Sequence, residues 1–320
     1  MLHRRPLLGL LGATLAAPAL HAQSFPARPL RLIVPYPPGG VTDILGRIVA
    51  TPMAERLGQQ IVVENRAGAG GNIGVQAAMA AEPDGYTLLL GTAATHGVNP
   101  ILYPSSGVEP GRDFVPVGSI ANMANVLSVN PRRLDVPDLR ALIARGKQGG
   151  LVYGSVGNGS SSHLCATIFL RMAGFEATHV PYRGSSPAVT ALLAAEYDFL
   201  FDTTATSTNH VNSGAFRALG VSSIQRASAL PNTPTIAEAG VPGYDVPVWN
   251  AVFVHARTPA PALARLQQAF SAGMDATTQQ KLRQAFVDPL LIPTADLPRW
   301  QASEIERWKQ MSRDARITLD

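Results

Sequence analysis

The chain has 320 residues, of which 46% are apolar and 15% charged, with 29 glycines and 26 prolines. Such a composition builds packed cores joined by many short, shaped loops and excludes a disordered chain. The formal charge is +4, no run of lysine and arginine occurs, and Cys165 is the single cysteine, so nucleic acid is not an expected partner and an internal disulfide is impossible.

Arg4 and Arg5 precede an apolar, small-residue run from Leu7 to Leu20. Ala17-Pro18-Ala19 and Leu20-His21-Ala22 follow with the spacing of a cleavage site. Residues 1–22 therefore read as a secretory signal peptide cut after Ala22, and the mature protein as soluble and exported. The run is shorter than the ~20 residues that a membrane span needs. Loss of two arginines and no acid lowers the formal charge from +4 to +2.

Strand-like and helix-like runs then alternate, the pattern of a parallel α/β fold. Arg31–Val34, Gln60–Glu64 and Tyr86–Gly91 are expected strands, with helices over Asp43–Arg56 and Gly74–Ala81. Phe114–Ile120 and Asn125–Val129 are extended and read as a crossover to a second sheet. There a new series begins: helix Pro137–Arg145, strand Leu151–Gly154, helix Ser161–Ala173, strand Ala177–Tyr182, helix Ser186–Ala195, then strands Tyr197–Asp202 and Phe216–Val221. Val248–Val254 reads as the return crossover, and helices Pro261–Met274, Thr277–Phe286 and Leu297–Lys309 as a cover for the first sheet. The expected architecture is α/β with two lobes, each a mainly parallel sheet flanked by helices, joined by two crossover strands. Lobe 1 is discontinuous, 23–123 and 248–320, and lobe 2 is 124–247. Ligands of open α/β sheets sit beyond the carboxyl ends of the strands, which places a cleft between the lobes.

Two strand–loop–helix junctions have the residues of an anion seat. In Pro35-Tyr36-Pro37-Pro38-Gly39-Gly40-Val41-Thr42-Asp43 the glycines let backbone approach a ligand, and Thr42 or Asp43 caps the helix. The same residues also suit an ordinary βα turn. In the second junction, Gly154 to His163, Ser155, Ser160 and Ser161 supply hydroxyls while Gly157 and Gly159 free the backbone. A plain N-cap with spare polar residues is the other reading. A nucleophile elbow does not fit, because Tyr153 stands where G-x-S-x-G needs its first glycine. Gly68 to Gly74 approaches a dinucleotide fingerprint, but Ile73 occupies the place of the third glycine, so a shaped loop at the lobe rim is expected. Asp202 ends an apolar strand and either meets an ammonium or hydroxyl of the ligand or caps the next helix. Tyr36, Tyr182 and Trp249 are either cleft walls or core. Cys165 reads as a buried, inert thiol. The histidines show neither H-x-x-x-H nor H-x-H spacing, and no metal or cofactor is expected.

Several ordered blocks together resemble one family: Pro35–Gly40 with Asp43, Val63–Gly74, Pro83–Leu89, Gly157–Ser161 with His163, His179–Gly184, Phe201-Asp202 and Leu230–Gly240. Across nearly the whole mature chain they are similar to the Bug family, the extracytoplasmic solute receptors of tripartite tricarboxylate transporters. The resemblance implies a periplasmic, Venus-flytrap binding protein of type II-like layout that closes on a small carboxylate, partly through ordered water. Carried onto this chain, it implies ligand contacts from Tyr36, Gly39, Gly40 and Asp43 in the first loop and from Ser155, Gly159, Ser160 and Ser161 in the second. It adds Thr92 and Thr95 after the third strand, with Asp202 at the variable end of the ligand. Val156, Ser162 and Thr203-Thr204 depart from the family pattern, which bears on the ligand rather than the fold. The expected ligand is a mono- or dicarboxylate, amino acids included; the expected protein is a non-enzymatic monomer with membrane transporter subunits or a sensor receptor as partner. The alternative is a secreted serine hydrolase using Ser155, Ser160 or Ser161.

Overall fold

Two separate sheets organise the computed structural model, which describes residues 25–246 and 248–315. The expected leader, 1–22, lies outside the described residues. In chain order the first part comprises β1 (Leu30–Val34), α1 (Val41–Leu57), β2 (Ile61–Asn65), α2 (Asn72–Met79), β3 (Thr87–Thr92), α3 (Asn99–Leu102), α4 (Pro110–Asp113) and β4 (Phe114–Met123). The second part comprises β5 (Asn125–Val129), α5 (Leu139–Gly146), β6 (Leu151–Ser155), α6 (Ser161–Ala173), β7 (Ala177–Pro181), α7 (Ser185–Leu193), β8 (Phe199–Thr203), α8 (Thr204–Asn212), β9 (Arg217–Val221) and α9 (Ile236–Ala239). The chain ends with β10 (Val248–His255), α10 (Ala260–Gly273), α11 (Ala276–Gln284), β11 (Asp288–Pro289) and α12 (Leu297–Ala315).

The first sheet has the order β11-β4-β10-β3-β1-β2 and the second β7-β6-β8-β5-β9. Both are mixed rather than mainly parallel. β1 runs parallel to β2 and β3, and β6 runs parallel to β7 and β8. The strands that pass between sheets enter against this direction: β10 is antiparallel to β3 and β4, and β5 is antiparallel to β8 and β9. A crossover strand has no preceding helix in its own sheet to bring it in parallel, so it joins the sheet antiparallel. β4 is one continuous strand, and the chain changes sheet at the single residue Ala124.

The two sheets share one local plan. β1 lies between β2 and β3, and β6 lies between β7 and β8, so each sheet opens a crevice at the carboxyl end of its central parallel strand. β1 and β8 are apolar runs buried almost throughout, as strands covered on both faces must be. Helix ends carry the residues that stop them: Gly58 after α1 and Gly174 after α6 adopt left-handed conformations and close onto Ala54 and Leu170. α9 starts with a capping box between Thr235 and Glu238. No helix among the described residues is long and apolar enough to cross a membrane.

Candidate functional site

A cavity of about 870 Å³ lies between the sheets and is lined from both, together with Val248 and Asn250 of β10. At ~30 Å³ per water it has room for about thirty waters, so a small ligand would share it with solvent.

The first wall comes from the loops after β1, β2 and β3. Gly39 takes φ +79, which a side chain would resist, and turns the chain so that Gly40 becomes the N-cap of α1. Gly40 has no side chain to cap with, which leaves the first-turn N–H groups of α1 facing the cavity beside Val41 and Thr42. The Tyr36 hydroxyl lies 3.3 Å from Thr92 Oγ1, and burial raises its pKa, so it stays a protonated donor. Thr92 lines the cavity; Thr95 does not. Thr95 instead sits in a π-helical turn, Ala94–Val98, where its Oγ1 accepts the Thr92 N–H at 2.9 Å and meets His96 Nδ1 at 2.9 Å. His96 stacks on Phe253 at 4.1 Å, and burial pushes its pKa down to about 3, so the ring is neutral.

Asp43 corrects its expected role. It is buried behind the loop and absent from the cavity wall. Its Oδ2 accepts from Gly39 N–H at 3.0 Å and from Arg47, and its Oδ1 accepts from Asn65 Nδ2 at 3.0 Å. Burial alone would raise its pKa; the hydrogen bonds from Arg47, Gly39 and Asn65 outweigh burial and lower it. The Gly39 N–H is consequently spent inside the loop and is not offered to a ligand. Asn65 also donates to the Tyr36 carbonyl at 3.0 Å.

The second wall comes from the loops after β6, β7 and β8. Ser160 and Ser161 line it, with Ser160 as N-cap of α6, accepting from His163 N–H at 3.3 Å and donating to the Gly157 carbonyl at 2.6 Å. Ser155 and Gly159 are not in the wall. Ser155 is fully buried; its hydroxyl lies 2.7 Å from His179 Nε2 and accepts the Gly157 N–H at 3.2 Å. Gly159 has φ +72 and donates to His163 Nδ1 at 3.2 Å. Both residues shape the loop from below. The pairing with His179 holds the Ser155 hydroxyl beneath the loop, away from the cavity wall.

Asp202 closes this wall. Its Oδ1 accepts from Thr203 N–H at 2.8 Å and Ser185 Oγ at 3.0 Å. Burial pushes its pKa up to about 6 against the opposing hydrogen bonds of Thr206, Thr203 and Ser185. Tyr182 lines the cavity, whereas Trp249 is core and donates Nε1 to Glu304 at 2.8 Å. Cys165 is buried, and burial raises its pKa to about 11.

Several wall residues are missing from the sequence-based set. Ala67 to Gly71 form wall rather than rim, and Asn250, Tyr103 and Arg183 all face the cavity. Arg183 is exposed, and with Asp202 it supplies the only charged side chains in the wall among the described residues. Asn250 and Tyr103 carry no pattern that marks them; the Gly68-Ala69-Gly70-Gly71 cluster is the one signal that points to close backbone approach. No group of three His, Cys, Asp or Glu side chains among the described residues is placed to hold a metal.

Residues 45–316 match the model of a family described as the tripartite tricarboxylate transporter family receptor. Protein BugT of Bordetella pertussis is 35% identical over 319 residues, covering 98% of this chain and 97% of its own. A protein from the tcbD-tcbE intergenic region of Pseudomonas sp. strain P51 is 38% identical over 99% of this chain and 96% of its own. Among solved structures, Rpa4515 of R. palustris with adipate has TM-score 0.84 at 34% identity, covering 92% of this chain and 100% of its own. MatC of Rhodopseudomonas palustris with bound malate has TM-score 0.81 at 29% identity, over 90% of this chain and 99% of its own.

Proposed function

The chain belongs to the tripartite tricarboxylate transporter receptor family, and within that family we propose that it captures a small carboxylate in the cavity between its two lobes, in the periplasm, without catalysis. It is a solute-binding receptor with a two-lobe fold. The observation that carries the ligand class is the pair of helix N-termini, α1 at Gly40–Thr42 and α6 at Ser160–Ser161, that line one cavity from two sheets. Helix N-termini favour negative charge, and here they do so beside hydroxyls rather than a guanidinium clamp. Adipate in one neighbour and malate in another support the same class.

The contacts we propose are the α1 first turn, Tyr36, Thr92, Ser160, Ser161 and Asp202, with water filling the remaining space. The lobes are taken as 23–123 with 248–320, and 124–247. The leader 1–22 is taken as cleaved, so that the exported protein starts at Gln23. Membrane subunits of a transporter, or a sensor, would receive the liganded form.

Thermal denaturation against a panel of mono- and dicarboxylates tests the reading. A ligand at about 100 times its Kd adds ~2.7 kcal/mol of stability, and a panel with no stabilising member would remove the carboxylate class. Ser161→Ala is expected to weaken all acids alike by roughly threefold to tenfold, since it takes one neutral hydrogen bond of ~1 kcal/mol from the shared seat. Isothermal titration of two dissimilar acids checks this, and a loss confined to one of them would move Ser161 out of the seat.

A further inference from the structure

Behind the second wall four rings stand in a column. Phe199 of β8, Tyr153 of β6 and His179 of β7 are register partners across the sheet, with neighbouring ring centroids 5.5 Å and 4.8 Å apart. His163 of α6 lies flat on His179 at 4.2 Å, the planes 3° apart. Both imidazoles are half-buried, so solvent protons reach them, and neither is in the cavity wall.

The pair holds the loop that forms the wall. Gly157, Asn158, Ser160 and Ser161 line the cavity. Gly159 N–H donates to His163 Nδ1 at 3.2 Å, and the His163 N–H donates back to Ser160 Oγ at 3.3 Å. Gly157 N–H donates to Ser155 Oγ at 3.2 Å, which lies 2.7 Å from His179 Nε2. The two ties answer a proton differently. A ring nitrogen that accepts an N–H carries no hydrogen, so the Gly159 bond exists only while His163 is neutral with its hydrogen on Nε2. The Ser155 hydroxyl both donates and accepts, so it keeps His179 in either charge state. Two charged rings face to face repel, which couples the pair. The first proton goes to His179, where it breaks no bond, and the second goes to His163 and frees Gly159. Facing the two rings are each other and the Tyr153 phenol. The formal charges on the surrounding elements are Arg171 on α6, Glu176 before β7 and Arg183 after it, all exposed, and Asp202 of β8.

We infer that His163 is a positioning residue for the α6 seat and that its protonation releases the loop. On the carboxylate-receptor reading above, the seat then holds its acid at neutral pH and weakens on acidification through a group that never touches the ligand.

NMR of the ligand-free protein from about pH 8 to about pH 5, an interval that spans the ordinary imidazole range, reads the loop directly. The Gly159 amide is expected to lose its hydrogen-bonded shift together with the titration of the His163 ring, after His179 has begun to titrate. It is expected to hold its shift in His163→Asn, whose Oδ1 takes the place of Nδ1 and does not titrate. A Gly159 amide that stays put in wild type, or moves as far in His163→Asn, overturns the inference whether or not any acid binds. Should His163→Asn not fold, the wild-type amide decides alone by moving with the His163 ring or not.

Isothermal titration with succinate and adipate carries the test to the ligand. At about pH 7.5 His163→Asn is expected to bind within about threefold of wild type, and His163→Phe, which keeps a stacked ring without the acceptor, about fivefold more weakly. Between about pH 7.5 and about pH 5.5 wild type is expected to lose about fivefold relative to His163→Asn. Asp202, at about 6, titrates in the same interval, but it and the ligand are common to both proteins and cancel in that ratio. A ratio that is flat with pH, or an Asn variant as weak as the Phe variant, overturns the inference and leaves the receptor reading standing. If neither acid binds wild type, the carboxylate reading loses its support and the Gly159 amide alone decides the role of His163.

Discussion

Burial raises the Asp202 carboxyl from its ordinary 3.8 to about 6, and the direction of that shift sets how stability depends on pH. A group whose folded pKa lies above its unfolded value contributes stability that is fully present below about pH 3.8 and is lost as pH rises through about 6. The ligand-free protein at neutral pH therefore holds a buried charge that costs it stability. Asp202→Asn keeps an acceptor for Thr203 and Ser185 and removes the charge. The variant is expected to be more stable than wild type by on the order of 1–3 kcal/mol at about pH 7.5, with the gap closing toward about pH 4. Urea denaturation at both pH values checks this, and a gap that does not change with pH would show that the carboxylate is not strained. The place of Asp202 in the cavity wall is readable from the chain, because a carboxylate near the carboxyl end of a buried strand lies on the ligand side of an α/β sheet. Ser155 and Thr95 show the limit of that kind of reading. Both are small hydroxyl residues beside a ligand loop, yet Ser155 points beneath the loop toward His179 and Thr95 beneath Thr92. Along a strand, one residue of offset exchanges the two faces, so residue type alone does not say which hydroxyl meets the cavity.

At the scale of elements, Pro35–Asp43 is rigid for two reasons that reinforce one another. The prolines restrict the loop before binding, and the Asp43 carboxylate ties its two ends by accepting from Gly39 N–H, Arg47 and Asn65. Asp43→Ala removes the charged acceptor shared by the Gly39 N–H, Arg47 and Asn65 and is expected to destabilise the protein by ~1–3 kcal/mol, the range for hydrogen bonds to a charged group. It is also expected to weaken every ligand, because the N-terminus of α1 is no longer held. Chemical denaturation and ligand titration on the same variant test both halves; full affinity in the destabilised variant would separate the tie from the site. The strand–helix alternation that places this loop is visible in the sequence, and α6 spans Ser161–Ala173 as its apolar spacing predicts. α8 is different. Its Thr204-Ala205-Thr206-Ser207-Thr208 run has weak helix propensity, and packing in place after β8 makes it helical. The helix matters to the site because Thr206 comes with it into the cavity wall.

At the scale of the molecule, the two sheets repeat one plan and face each other across the cavity, but they also touch. A side chain added at Gly70 would meet the Asn158 carbonyl at 3.5 Å, and one added at Gly159 would meet the Tyr103 hydroxyl at 3.5 Å. Loops of the first lobe therefore rest on the second-lobe loop that carries the α6 seat. Near the crossovers the lobes are tied by Thr204 Oγ1 donating to the Phe286 carbonyl at 2.6 Å and by the Arg307–Asp245 ion pair. Composition and periodicity foretell two lobes; they do not foretell the antiparallel entry of β5 and β10, because strand direction is set by which sheet a strand joins, not by its own pattern. The loop contacts bring the lobes together on one side of the cavity. Ligand entry is expected to separate Gly70 from Asn158, with the ligand-free chain exchanging between closed and open forms, and a ligand that touches both walls then shifts the balance toward closure. Cys165 is buried, so cysteines introduced at exposed Val62 in the first lobe and Met172 in the second take dyes cleanly. Energy transfer between dyes at Val62→Cys and Met172→Cys is expected to show two populations without ligand and one with a saturating acid. Replacing Gly70 with a bulky residue, which wedges the loops apart, should enrich the open population and weaken binding by about tenfold for each 1.4 kcal/mol of lost closure. A single transfer value that is unmoved by ligand would mean that the lobes form one rigid unit and that ligands reach the cavity by another route.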